Sequence, residues 1–127
     1  MYTNPYELYK QQDLDTCNKQ ELVGKLYNEG SVSLKRAIAA IHQKKFDVAN
    51  ENIKKAEVIV STLKKSLDMQ FEISHQLCQI YNYMLKRMVE GNMKKDVTIL
   101  EEISGMLSDF RDVWSEAIKR SKKLQSI

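Results

Sequence analysis

The sequence predicts an all-α fold: an antiparallel, up-down four-helix bundle with a non-helical N-terminal arm packed on it. Two observations lead there. The 127 residues hold only four glycines, Gly24, Gly30, Gly91 and Gly105, and no proline after Pro5, whereas a β-rich chain of this size needs more turn residues. Apolar residues also recur at steps of three and four over four separate stretches, the spacing of a helix seam. Short polar breaks join the stretches, which makes consecutive helices antiparallel neighbours. The length suits one domain around one core, residues 1–127, with an arm over 1–17 and a basic tail over 119–127.

The arm carries Tyr2, Pro5, Tyr6 and Tyr9 ahead of the first helix-start signal, at Asn18. A buried tyrosine ring removes about 150–250 Å² of surface from water, so Tyr6 and Tyr9 are expected to dock on the helical body. Such an arm either covers a binding groove as a lid or completes the core, and both readings stand on the residues alone.

The first helix is expected over 19–43. Asn18 and Glu21 have the spacing of a capping box. Leu22, Leu26, Leu34, Ala37, Ile38 and Ile41 form its row, Gly30 fills the gap, and Val23 and Tyr27 widen the stripe. The second, over 48–67, follows Asp47 as N-cap with the row Ala49, Ile53, Ala56, Val60, Leu63 and Leu67. Val58 and Ile59 lie beside that seam, as groove wall or as a wider buried face. The third, over 71–91, has the row Ile73, Leu77, Ile80 or Tyr81, Met84 and Met88, with Cys78, Leu85 and Val89 flanking and Gly91-Asn92 as the stop signal. The fourth, over 95–120, starts near Asp96 and carries Ile99, Leu100, Ile103, Met106, Leu107, Phe110, Val113, Trp114, Ala117 and Ile118. These stripes are wider than a bundle seam needs, and methionines such as Met69, Met84, Met88 and Met93 suit either core filling or an adaptable peptide-binding surface.

Composition narrows the function classes. A net charge of +3 is too small to imply nucleic acid. The longest stretch free of Asp, Glu, Lys and Arg, Ile73 to Leu85, has 13 residues, short of the ~20 a membrane-spanning helix needs. Cys17 and Cys78 match no metal or redox spacing; as free thiols without a signal peptide they point to the cytoplasm. No catalytic constellation, metal motif, Gly-rich phosphate loop or cofactor signature emerges. His42 reads as solvated. His75 on a bundle helix raises histidine phosphotransfer, but no basic residue lies within four positions to receive a phosphate.

Several of these residues match one family in order. Asn4-Pro5-Tyr6-Glu7-Leu8-Tyr9 resembles the NPYxxY segment of the flagellar secretion chaperone family FliS. Glu21-Leu22 with Leu26-Tyr27-Asn28 is similar to its first-helix signature, and Asn50-Glu51-Asn52-Ile53-Lys54-Lys55-Ala56 to the start of its second, with Leu67-Asp68 at the end. Ile80-Tyr81-Asn82-Tyr83-Met84, Arg87 and Asn92 resemble its LYDYMxRRLxxAN run, and Leu107 to Trp114 its fourth helix. Lys19 replaces a frequent proline, Asn82 a frequent aspartate, and Gly91 a frequent alanine that would hold the end of the third helix more firmly.

The resemblance implies a non-enzymatic cytoplasmic chaperone. It would bind the disordered C-terminal region of flagellin in hydrophobic grooves, prevent premature polymerisation and assist type III export, with the flagellar export apparatus as a further partner. Neither nucleic acid nor membrane insertion is implied, and monomer and dimer stay open. Tyr6 and Tyr9 match the arm's two docking side chains. Leu26, Tyr27, Asn52, Ile53, Ala56, Ile59, Tyr81 and Leu85 are the candidate client-binding or arm-docking residues. The rival class is a four-helix adaptor for a folded partner.

Overall fold

The computed structural model describes residues 19–125, with side chains through 123. Four helices form among them: α1 (Lys19–His42), α2 (Phe46–Lys65), α3 (Glu72–Lys94) and α4 (Val97–Gln125). Each packs on its sequence neighbours, and α4 closes the ring against α1. The result is the expected antiparallel four-helix bundle, in which α1 and α3 lie on one diagonal. The arm and Asn18, the expected cap of α1, lie outside the described residues.

The core follows from the apolar rows. Leu34, Ala37, Ala49, Ile53, Ala56, Ile59, Val60, Met84, Met88, Leu100, Ile103 and Leu107 are fully buried. Small residues let α1 and α4 approach closely. A Cβ on Gly30 would lie 3.0 Å from Leu107 Cδ1. Beside it, Ser31 Oγ donates to the Ser104 carbonyl at 3.1 Å and Ser104 Oγ donates back to the Ser31 carbonyl at 3.2 Å. The reciprocal pair satisfies two buried hydroxyls that a close helix contact would otherwise strand.

Helix ends differ from the sequence reading where backbone geometry, not composition, sets the stop. α3 runs through Gly91 to Lys94. Gly91 is packed rather than terminal: a Cβ there would lie 3.0 Å from Leu100 and 3.1 Å from Ile99. The stop is a Schellman motif. Lys95 takes the left-handed conformation at φ 51°, Lys95 N–H donates to the Asn92 carbonyl and Asp96 N–H to that of Gly91. α1 ends the same way, with Lys44 at φ 59° and Lys45 N–H donating to the Ala40 carbonyl at 2.8 Å. That tight closure starts α2 at Phe46, so Asp47 sits inside the first turn rather than capping it. Asp96 does cap α4: its Oδ1 accepts from Thr98 N–H at 2.9 Å. α4 continues past 120 to Gln125, because its lysine-rich last turns contain no breaker and suit the negative helix terminus.

Two parts of the predicted rows leave the core. Ile73 is 59% exposed and Ser74 is buried in its place. At this end of the bundle Trp114 turns to α1, its indole N–H donating to the Gln20 carbonyl at 2.6 Å, and does not cover Ile73. In α4 the apolar row narrows after Phe110: Val113 and Ala117 are exposed, while Phe110, Trp114 and Ile118 are half-buried.

Candidate functional site

The side chains singled out from the sequence fall into three groups. Tyr6 and Tyr9 lie outside the described residues. Leu26, Tyr27, Asn52, Ile53, Ala56, Ile59 and Tyr81 are buried, and in this closed bundle they form the floor on which surface features stand. Leu85 alone is half-buried, packed against the core with part of its side chain reachable.

Tyr27 and Tyr81 meet across the α1–α3 diagonal, their hydroxyls 2.6 Å apart. Phe110 of α4 packs edge-on against Tyr27, centroids 5.7 Å apart at 86°. Burial pushes both phenols above their ordinary range; the shared hydrogen bond pulls Tyr27 back somewhat and raises Tyr81 further. The trio joins three helices. Asn52 points along its own helix, its Nδ2 donating to the Val48 carbonyl at 2.9 Å.

Leu85 belongs to the outer furrow between α2 and α3. Asn92 Nδ2 donates to Asn50 Oδ1 at 2.7 Å, which identifies the edges of these two helices that face each other. On α2, Phe46 lies four residues before Asn50 and Glu57 seven after, on the same edge. On α3, Leu85 is seven residues before Asn92 and Val89 three before, while Met93, one residue on, points about 100° further round to the solvent side and flanks the furrow's outer rim. Phe46 is 48%, Val89 49% and Met93 82% exposed, so the upper furrow presents large apolar side chains without cover. Lower down, Glu57 is half-buried beside the level of Leu85. Burial raises its carboxyl above the usual glutamate range, and Lys54 offsets part of that.

An open hollow of 480 Å³ lies between α1 and α4, lined by Gly24, Asn28, Arg111, Trp114, Ile118 and Lys119 among others. Arg111 spans it, donating from Nη1 to Asn28 Oδ1 at 2.9 Å and from Nη2 to Ser108 Oγ at 2.9 Å. The α3–α4 face is polar instead. Tyr83 donates to Glu102 Oε2 at 2.6 Å, and Arg87 bridges Glu102 and Glu90. Lys94 and Arg87 hold the Glu90 carboxyl below its ordinary range.

No group of three or more His, Cys, Asp or Glu able to hold a metal occurs among the described residues. No described helix is long and apolar enough to cross a membrane. His75 is exposed, its Nε2 3.0 Å from the Met69 carbonyl in the α2–α3 connection.

The family profile "Flagellar protein FliS" matches residues 2–121. The chain belongs to the FliS family. It is similar to the flagellar secretion chaperone FliS of Bacillus subtilis, 36% identical over 120 residues that cover 94% of this chain and 90% of that protein. It is also similar to FliS of Salmonella typhimurium, 28% identical over 80% of this chain and 77% of the relative. FliS of Escherichia coli is 26% identical over 87% and 83%. Many FliS-like motif residues of this chain make the contacts between helices: Tyr27 with Tyr81, Asn28 with Arg111, Asn50 with Asn92. Phe46, Glu57, Val89 and Met93 stood outside the candidate set. The signal available for Phe46 was an aromatic residue one position ahead of Asp47, the aspartate that the sequence offers as a cap, with no place in the seam.

Proposed function

We propose that this protein is a cytoplasmic flagellar export chaperone that holds the C-terminal region of flagellin on the α2/α3 furrow and keeps it from polymerising before type III secretion. Family membership supplies the class. The observation that carries the surface is the uncovered apolar run of Phe46, Val89 and Met93 above half-buried Leu85. A disordered client needs extensive apolar contact to offset the entropy of ordering it, and an amphipathic helix lying in a furrow between two helices supplies such contact. Tyr6 and Tyr9 enter this reading as arm residues that meet the same class of apolar surface. The core residues Ile53, Ala56 and Tyr81 support the furrow from beneath, while Ile59 faces α1, its Cγ2 3.4 Å from where a Cβ on Gly30 would lie.

The test is calorimetry of the full chain with purified flagellin C-terminal segment, for wild type and for Val89→Asp and Met93→Asp. Both substituted side chains are exposed, so the bundle tolerates the change. Wild type is expected to bind with a negative heat-capacity change, and each variant to bind at least about tenfold more weakly, a loss of about 1.4 kcal/mol. No complex with wild type at tens of micromolar overturns the chaperone assignment. Unchanged affinity in both variants moves the client off this furrow.

A further inference from the structure

We propose that Glu57 reads charge on the segment held in the α2/α3 furrow, and that this segment carries a lysine or arginine opposite it. The inference rests on the furrow reading above and adds a specificity residue to it.

Glu57 shares the α3-facing edge of α2 with Asn50 and Phe46, and it is half-buried at the level of Leu85. Other acids near the bundle's seams have partners: Glu90 pairs with Arg87 and Lys94, Glu102 with Tyr83 and Arg87. Glu57 has neither a hydrogen bond nor an ion pair among the described residues, and its one charged neighbour with a resolved influence is Lys54, a turn earlier on its own helix. A carboxylate already short of water loses more of it when an apolar segment covers Leu85 and Val89. A segment without a cation would then trap an unpaired charge, whereas a cation in place pairs with it. The furrow therefore discriminates by what it penalises as well as by what it attracts.

Helix geometry sets the spacing. Glu57 lies eleven residues, or about 16 Å, along α2 from Phe46, and seven residues, about 10 Å, from the level of the Asn50–Asn92 bond. A helical ligand with apolar groups over Phe46, Val89 and Met93 thus brings its cation to Glu57 roughly four to eleven residues further along. Lys64 shares the Glu57 edge seven residues on, and Lys54 and Lys86 are exposed nearby. Lys64 repels a cation placed further down the furrow and so favours the register at Glu57, whereas Lys54 and Lys86, near the level of Glu57, are exposed and solvent-screened. The chain's own first eighteen residues hold Glu7, Asp13 and Asp15 against a lone Lys10, the wrong sign for this position.

The experiment uses the full chain, as wild type, Glu57→Gln and Glu57→Lys, with purified flagellin C-terminal segment, in calorimetry at low and physiological salt. Thermal melts of the three proteins alone establish that each folds. Glu57→Gln is expected to bind about threefold more weakly and Glu57→Lys about tenfold or more, with the difference shrinking as salt rises. Replacing single Lys or Arg residues of the segment by Glu should locate one position whose reversal restores affinity to Glu57→Lys. Equal affinity of wild type and Glu57→Lys overturns the proposal and leaves the chaperone reading intact. Tighter binding by Glu57→Lys overturns it in favour of an acidic occupant. Weaker binding that no single reversal restores removes the direct pairing and also overturns it. No complex with wild type overturns both readings.

Discussion

The Tyr27–Tyr81 pair offers a sharp test of how this bundle is held across its diagonal. The hydroxyls are 2.6 Å apart and the residues are 4% and 2% exposed, so water cannot substitute for a lost partner. A neutral buried hydrogen bond contributes about 0.5–1.5 kcal/mol net, but a buried hydroxyl left alone costs about 1–3 kcal/mol. Tyr27→Phe and Tyr81→Phe each strand one hydroxyl and keep the ring, including the Phe110 edge contact, so each should destabilise by about 1–3 kcal/mol. The double variant strands none and should cost less than the sum of the singles, with a coupling of about 1 kcal/mol or more. Urea denaturation followed by circular dichroism gives these differences, provided the slope with denaturant is unchanged. Singles within about 0.5 kcal/mol of wild type and additive in the double would refute the argument.

The same pair makes an alkaline prediction. Both phenols hold their protons more tightly in the fold than in the unfolded chain, chiefly because of burial. Their contribution is therefore complete below the ordinary tyrosine value of about 10 and is lost as pH rises past it. Wild type should lose stability above pH ~10 faster than the double phenylalanine variant; parallel pH profiles would show that the pair carries no linkage.

The remaining predictions concern backbone geometry and one carboxyl. Lys44 sits at φ 59° at an exposed helix end, so Lys44→Gly should stabilise by about 1 kcal/mol in urea titration, opposite to glycine's usual effect. Gly105→Ala, where an added Cβ meets nothing within 4 Å, should raise stability by about 0.5–1 kcal/mol. Gly91→Ala should lower it, because the new methyl presses on buried Ile99 and Leu100; equal responses of the two glycines would deny Gly91 its packing role. Glu57's raised pKa means its carboxylate is disfavoured by the fold, so the bundle loses that increment as pH rises from about 4.3 through the raised value. Glu57→Gln should then melt higher than wild type at pH 7 and equally at pH 3, and a constant offset across that range would contradict the linkage.

The bundle was legible because a helix that buries one face repeats its apolar residues every three to four positions, and rows such as Leu22-Leu26-Gly30-Leu34-Ala37 show that repeat directly. Helix stops were harder. Gly91 and Asp47 are ordinary signals for an end and a start, but the local energy of a glycine cannot tell a left-handed cap from a close helix contact; only the position of Leu100 does. The binding surface was hardest, for a related reason. Ile53 and Val58 are both β-branched, apolar and on α2, yet one is fully buried and the other 39% exposed, because burial is set by whether a neighbouring helix covers that side. FliS-like motif residues such as Tyr27, Tyr81, Asn50 and Asn92 join helices here, and a residue pattern alone does not separate that role from groove lining. Phe46, Val89 and Met93 are what the seam leaves uncovered, and on the furrow proposal a client would meet them while half-buried Glu57 would select its charge.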